Sequence, residues 1–151
     1  MKENKLRQNF ARDIALMRQI GIFPVLVHGG GPQIERNLKK NNIKSVFIDG
    51  LRKTDVNSIK IIVKNLNEVN GDISELIKTW GARTKTFNDV RESILICKKI
   101  KTKIDLGFVG DITKVDGSLI KKNIFNGKIP VIAPIGRDLS LIHISEPTRR
   151  I

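Results

Sequence analysis

No tyrosine occurs among the 151 residues, tryptophan and cysteine occur once each, and aromatic residues make up only 5% of the chain. A surface so poor in rings offers no obvious platform on which nucleobases could stack. The single cysteine, Cys97, excludes an internal disulfide framework and fits a reducing compartment. It ends the apolar run Ile94-Leu95-Ile96-Cys97, which predicts a buried structural thiol rather than a nucleophile. No apolar run approaches the roughly 20 residues of a membrane helix. The opening Met1-Lys2-Glu3-Asn4-Lys5 lacks the apolar stretch of a secretory signal. The expectation is a cytoplasmic chain with no membrane contact.

Acidic residues are scarce too. Fifteen Asp and Glu face 28 Lys and Arg, for a formal charge of +13. Such an excess invites a nucleic-acid reading, because clustered Lys and Arg neutralise phosphates. Here the lysines are spread over the whole chain, and with abundant Ile and Asn they match the composition of an AT-rich coding sequence. A binding-only module for anions or nucleic acid stays open on charge alone. An anionic small substrate suits the charge at least as well, and nucleic acid is not predicted as a partner. Hydrophobic content of 40% with 28% charged residues is ordinary for a soluble domain of this length.

What is present reads as alternating helices and strands. Phe10, Ile14 and Met17 recur at helical spacing across Leu6 to Ile20, and Gly21 ends that segment. Phe23 to Val27 is a short apolar run of the kind a doubly covered parallel strand shows, with Pro24 at its start. Pro32 is placed to open the next helix, which the spacing carries through Ile34 and Leu38 to Lys39-Lys40-Asn41-Asn42. Ser45 to Ile48 predicts a brief strand and Asp49 to Arg52 a loop. Thr54 is placed to cap a helix with Ile59, Ile62, Val63 and Leu66 inward. Asn70-Gly71-Asp72 predicts a break before a second helix bearing Ile73, Leu76, Ile77 and Trp80. Thr84 to Lys101 reads as two strands, Lys114 to Gly117 as a turn, Ser118 to Phe125 as a helix and Ile129 to Ile135 as one buried strand. The order predicts a three-layer α/β fold, a largely parallel sheet with helices on both faces. Leu139 to Ile151 resembles the translation of a sequencing-library adapter. It is set aside as an artefact together with His143, which leaves residues 1–138 as one partial domain.

Chemistry concentrates at His28-Gly29-Gly30-Gly31-Pro32. A strand followed by glycines and a helix start can hold a phosphate or carboxylate: glycines permit close approach, and the helix amino terminus adds partial positive charge. The segment is neither a Walker loop nor a dinucleotide fingerprint, since the required Lys-Ser/Thr and Gly-x-Gly-x-x-Gly patterns are missing. A tight turn with no ligand remains the alternative. His28, at a strand end, reads as a hydrogen-bonded structural residue more readily than as a base. Arg52 follows Gly50-Leu51 after a strand, where a guanidinium can clamp a carboxylate through two parallel bonds. Both features fall beyond the carboxyl ends of strands, where ligands of open parallel sheets sit.

Five segments then resemble one family. Phe10-Ala11-Arg12-Asp13-Ile14, Pro24 to Ile34 through the glycine turn, Asp49-Gly50-Leu51-Arg52-Lys53-Thr54-Asp55, Asp105-Leu106-Gly107-Phe108-Val109-Gly110 and Ile129 to Gly136 are similar, in order and rough spacing, to the acetylglutamate kinases of the amino-acid kinase superfamily. The resemblance spans about Leu6 to Gly136. It implies transfer of the γ-phosphoryl of ATP, with Mg2+, to the side-chain carboxylate of N-acetylglutamate in arginine biosynthesis, by a parent protein that forms a homo-oligomer. It implies substrate binding by Gly30, Gly31 and Arg52, with His28 and Gly29 as a candidate phosphate-holding loop, and no metal ligand. It assigns no catalytic residue here: a lysine with a glycine pair would precede Met1. An Asn-x-Asn segment, an aspartate and a second lysine would follow Gly136. The chain is thus expected to be a fragment with negligible kinase activity of its own. At Thr84 to Glu92 the chain departs from the family's Ser-Gly-Lys-Asp-type segment, so another kinase of the superfamily, acting on a different acid or phosphate, is the alternative.

Overall fold

A computed structural model describes residues 2–138 and the backbone of 142–144. Helix α1 (Lys2–Gln19) leads into strand β1 (Leu26–Val27), the glycine turn and helix α2 (Gly31–Lys40). Strands β2 (Phe47–Ile48) and β3 (Leu51–Arg52) form a hairpin, followed by the long helix α3 (Val56–Lys78). Then come β4 (Arg83–Phe87), β5 (Leu95–Lys99), β6 (Gly110–Val115), helix α4 (Gly117–Phe125), β7 (Lys128–Ile132), β8 (Ile135–Arg137) and β9 (Ile142–Ile144).

The central sheet has the order β1-β7-β4, and both pairings are parallel. Alternation along β7 explains how it is covered on two sides. Ile129 and Val131 point to α1 and α3, where they join Ala11, Ile14 and Ile77 in one apolar cluster. Ile132 points the other way, into a cluster with Phe87, Leu95, Cys97 and Ile120 of α4. Helices therefore lie on both faces of a parallel sheet, as the alternation of elements predicts. A second sheet, β6-β5-β8-β9, is mixed, with β5 and β8 parallel and the outer pairs antiparallel. β1 is an edge strand of the central sheet, and its Val27 is exposed, as are Ile22 and Phe23 ahead of it.

Several local expectations are corrected. Asp49-Gly50 is a hairpin turn, not part of an open loop. Both residues have positive φ (51° and 80°), which suits the right-handed twist of the flanking strands. Asp55, not Thr54, caps α3: its carboxylate accepts from the N–H groups of Asn57 and Ser58, and Ser58 Oγ accepts from the Asp55 N–H in return. α3 runs unbroken through Asn70-Gly71-Asp72, because Asn70 is buried and bonded inside the protein. β4 and β5 are both strands but belong to different sheets. Ile129 to Ile135 is two strands, since the chain changes sheets at Ala133-Pro134. Lys114 and Val115 end β6, a strand the residue pattern did not predict, and Asp116 then caps α4. Of the adapter-like stretch, 139–141 and 145–151 lie outside the described residues, while the backbone of β9 pairs with β8.

Cys97 is buried, and burial pushes its thiol up to about 11. A protonated, enclosed thiol is a poor nucleophile. We expect no labelling by a thiol reagent at pH 8 in the folded chain and full labelling in denaturant, read by mass. Prompt labelling of folded protein would contradict this.

Candidate functional site

The first five residues of the site follow β1. The His28 N–H donates to the Ile132 carbonyl at 3.3 Å, which continues the β1–β7 ladder one residue further. Gly30 is then the N-cap of α2, and it carries no side chain to cap the helix. The first-turn N–H groups of α2 are left to a ligand or solvent, and the helix amino terminus brings partial positive charge to the same spot. Gly30 also has a packing reason to lack a side chain: a Cβ would lie 3.1 Å from Leu66 Cδ2 of α3. α2 is held there by Ile34 and Leu38, which share a buried cluster with Ile59, Ile62 and Leu66. Each such side chain contributes about 1.5–3 kcal/mol when fully buried.

The β2–β3 hairpin delivers Arg52. Phe47 and Arg52 are direct cross-strand partners, which places the guanidinium 4.5 Å from the centre of the Phe47 ring. Arg52 is only 4% exposed. A buried cation needs partners, and Nη1 donates to Glu35 Oε2 at 2.8 Å and to Ser45 Oγ. Ser45 Oγ donates to the same Glu35 oxygen at 3.0 Å. Glu35 projects from α2, one turn beyond the glycines, so the guanidinium is oriented by the helix that the glycine turn begins. The hydrogen bond from Arg52 holds the Glu35 carboxyl below its usual range.

These pieces converge. Gly29, Gly30, Gly31, Phe47, Arg52 and Pro134 line one cavity of about 580 Å³, with Ile62 and Leu66 of α3 at its apolar side. The structure thus brings Gly30, Gly31 and Arg52 together, with Gly29 at the same rim. His28 stands behind the turn: Nδ1 lies 2.9 Å from the Gly29 carbonyl and Nε2 lies 2.9 Å from Asn70 Nδ2. Burial lowers its pKa, opposed by the bond to Gly29. The same three glycines also line a second cavity of about 670 Å³, which lies toward α1 and carries Arg7 and Arg36.

The residues that sequence reasoning missed are Glu35, Ser45, Phe47 and Asn70. The Asp-Gly turn signal between apolar residues would have exposed the hairpin, and with it the pairing of Phe47 and Arg52. Asn70 was visible as a polar residue on the apolar stripe of α3. Glu35 and Ser45 carry no local signal.

Helices on both faces of a parallel sheet, with a glycine turn and a buried arginine lining one cavity, define an α/β domain. The family model that describes the amino acid kinase family matches residues 1–145, and the chain belongs to that family. It is 38% identical over 147 residues to the acetylglutamate kinase of Geotalea uraniireducens, a match that covers 90% of this chain and 50% of that protein. It is 42% identical over 134 residues to the acetylglutamate kinase of Campylobacter fetus, covering 88% and 48% respectively. The chain spans about half the length of the curated relatives it matches. Among solved structures, N-acetylglutamate synthase from Neisseria gonorrhoeae, complexed with coenzyme A and N-acetyl-glutamate, superposes with a TM-score of 0.80 at 20% identity. That match covers 93% of this chain and 32% of that one. Isopentenyl phosphate kinase superposes with a TM-score of 0.56 at 15% identity, covering 93% and 55%. At these identities the likeness concerns the fold.

Proposed function

We propose that the whole protein transfers the γ-phosphoryl of ATP to the side-chain carboxylate of N-acetylglutamate, and that this chain supplies the acceptor-binding half. The observation that carries the reading is the single cavity shared by Gly29–Gly31 and Arg52. Arg52 would hold the acceptor's α-carboxylate, since a guanidinium fork matches a carboxylate in charge and shape. The N–H groups of Gly30 and Gly31 would then face the reacting carboxylate at the other end. Phosphoryl transfer needs little covalent help from a protein and depends on positioning and positive charge. The lysines that would neutralise the transferring group belong, in this reading, to parts of the protein outside the 151 residues. Among the described residues no group of His, Cys, Asp or Glu is placed to hold a metal ion. Magnesium would enter as a companion of ATP. Arginine biosynthesis, a cytoplasmic setting and a homo-oligomeric parent complete the proposal.

Calorimetric titration of the chain tests it. N-acetylglutamate should bind with one-to-one saturation, glutamate should bind about tenfold more weakly, and duplex DNA should not compete for the site. Equal heats for N-acetylglutamate and unrelated dicarboxylates, or none at all, would point to a different acceptor within the family.

A further inference from the structure

The apolar stripe of α3 runs through Ile59, Ile62, Leu66 and Ile77, and Asn70 lies on it, four residues after Leu66 and seven before Ile77. Asn70 is 0% exposed. Its Nδ2 donates to the Val131 carbonyl of β7 at 3.1 Å and faces His28 Nε2 at 2.9 Å. A carbonyl can only accept, so the amide nitrogen, not the oxygen, is the atom turned toward the strand and the ring. Its two hydrogens then serve two acceptors, and Nε2 of His28 must offer a lone pair. On the far side of the ring, Nδ1 meets the Gly29 carbonyl, which also only accepts, so Nδ1 carries the proton. One proton on Nδ1 and none on Nε2 is the neutral imidazole, locked in one tautomer. Asn70 Oδ1 has no partner among the described residues. Turning the amide over would not relieve it, because Oδ1 would then face the Val131 carbonyl.

We propose that Asn70 is a positioning residue for the glycine turn: through Nδ2 it holds His28 as the Nδ1–H tautomer, and His28 in turn holds the Gly29 carbonyl, so the buried faces of α3 and β7 set the orientation of Gly29–Gly31. The functional side of this inference rests on the acceptor-binding reading above. His28 is then a strut, with its basic nitrogen occupied, and not a proton acceptor for substrate. The loss of ring basicity on burial agrees with this.

The experiment is nitrogen-15 NMR of the imidazole rings in the full 151-residue chain, with a His143→Asn variant to assign the second histidine. Unsubstituted chain at pH 7.5 should show His28 protonated at Nδ1 and bare at Nε2. Asn70→Leu removes the donor and Asn70→Asp replaces it with an acceptor. In Asn70→Asp both ring nitrogens face acceptors, so His28 should be protonated at both. In Asn70→Leu Nε2 loses its donor, and the single tautomer should give way to a mixture. In both, the amide resonances of Gly29–Gly31 should shift. Affinity for N-acetylglutamate should fall about tenfold, about 1.4 kcal/mol. A dominant Nε2–H tautomer in the unsubstituted chain would overturn the inference without any variant. An unchanged tautomer in a folded Asn70 variant, or unmoved glycine amides, would overturn it too. If unsubstituted chain fails to bind N-acetylglutamate, the acceptor reading fails, while the tautomer and the glycine amides still decide the role of Asn70.

Discussion

Arg52→Ala should weaken acceptor binding about 100-fold while leaving a folded protein. The two effects differ in size because the partners of Arg52 differ in exposure. Its guanidinium is buried, but Glu35 is half exposed, so removing the cation leaves a carboxylate that water can solvate. The stability loss should therefore stay near 1–2 kcal/mol, from lost hydrogen bonds and contact with Phe47. Binding has no such relief, because in the proposed complex the acceptor's carboxylate loses a charge-assisted partner inside a cavity. A loss of about 100-fold, roughly 3 kcal/mol, is expected for one such partner. Arg52→Lys keeps the charge but neither the planar fork nor the stacking on Phe47, and should lose about tenfold. Titration calorimetry with denaturant unfolding on the same samples checks both halves. A folded Arg52→Ala chain that still binds N-acetylglutamate within threefold of the parent would remove Arg52 from the site.

The same pair sets a pH dependence. Glu35 has a lowered pKa in the folded chain because it accepts from Arg52. A lowered carboxyl contributes stability above its unfolded titration range, and that contribution disappears as pH falls through the folded value. Acid, not base, should loosen the link between α2 and the β2–β3 hairpin, and Glu35→Gln should flatten that part of the acid unfolding profile.

How much of this was legible in the residues depends on how local each cause is. α1, α2 and the glycine turn could be read directly as elements, because their signals are near neighbours: Phe10, Ile14 and Met17 at helical spacing, or three glycines before Pro32. The face α1 buries is Ala11, Ile14 and Ala15, with Phe10 and Met17 exposed. Arg52 could be named as a candidate, but not its burial, since that depends on Glu35 from another element and on Phe47 across a hairpin. The failures at Asn70 and at Ala133-Pro134 share a cause. An Asn-Gly pair has low helix propensity, yet a buried hydrogen bond to Val131 outweighs the small intrinsic cost. The apolar run from Ile129 to Ile135 looks continuous because both sheets bury their strands, and residue types do not record which sheet a strand joins. Likewise β6 is exposed along most of its length, so it lacks the apolar alternation that marks a strand.

Gly107→Ala should be among the most destabilising single-methyl changes in the chain. Gly107 has φ +74°, a conformation that costs an ordinary residue about 1–2 kcal/mol. Space forbids the methyl as well: a Cβ would overlap the carbonyl of Thr54, which is backbone and cannot swing aside. Thr54 and Gly107 form a parallel bridge, in which the Thr54 N–H donates to the Leu106 carbonyl at 2.9 Å and the Phe108 N–H donates to the Thr54 carbonyl at 2.8 Å. Relieving the overlap means breaking at least one of these buried bonds, at about 1–3 kcal/mol each. A total near 3–4 kcal/mol follows, or a fall in melting temperature of about 10 °C for a chain of this size. Gly71→Ala is the control with the opposite sign. It lies inside α3 with open space around its Cα, so alanine should stabilise by about 0.5–1 kcal/mol. The effect of Gly107→Ala should also reach the site, because Thr54 Oγ1 donates to the Arg52 carbonyl and Leu106 packs against Leu51 under the hairpin. Acceptor affinity should therefore fall in the surviving folded fraction, measured at a temperature where the variant remains native. A variant that unfolds earlier but binds normally would show that the hairpin holds Arg52 without help from the Asp105–Val109 loop.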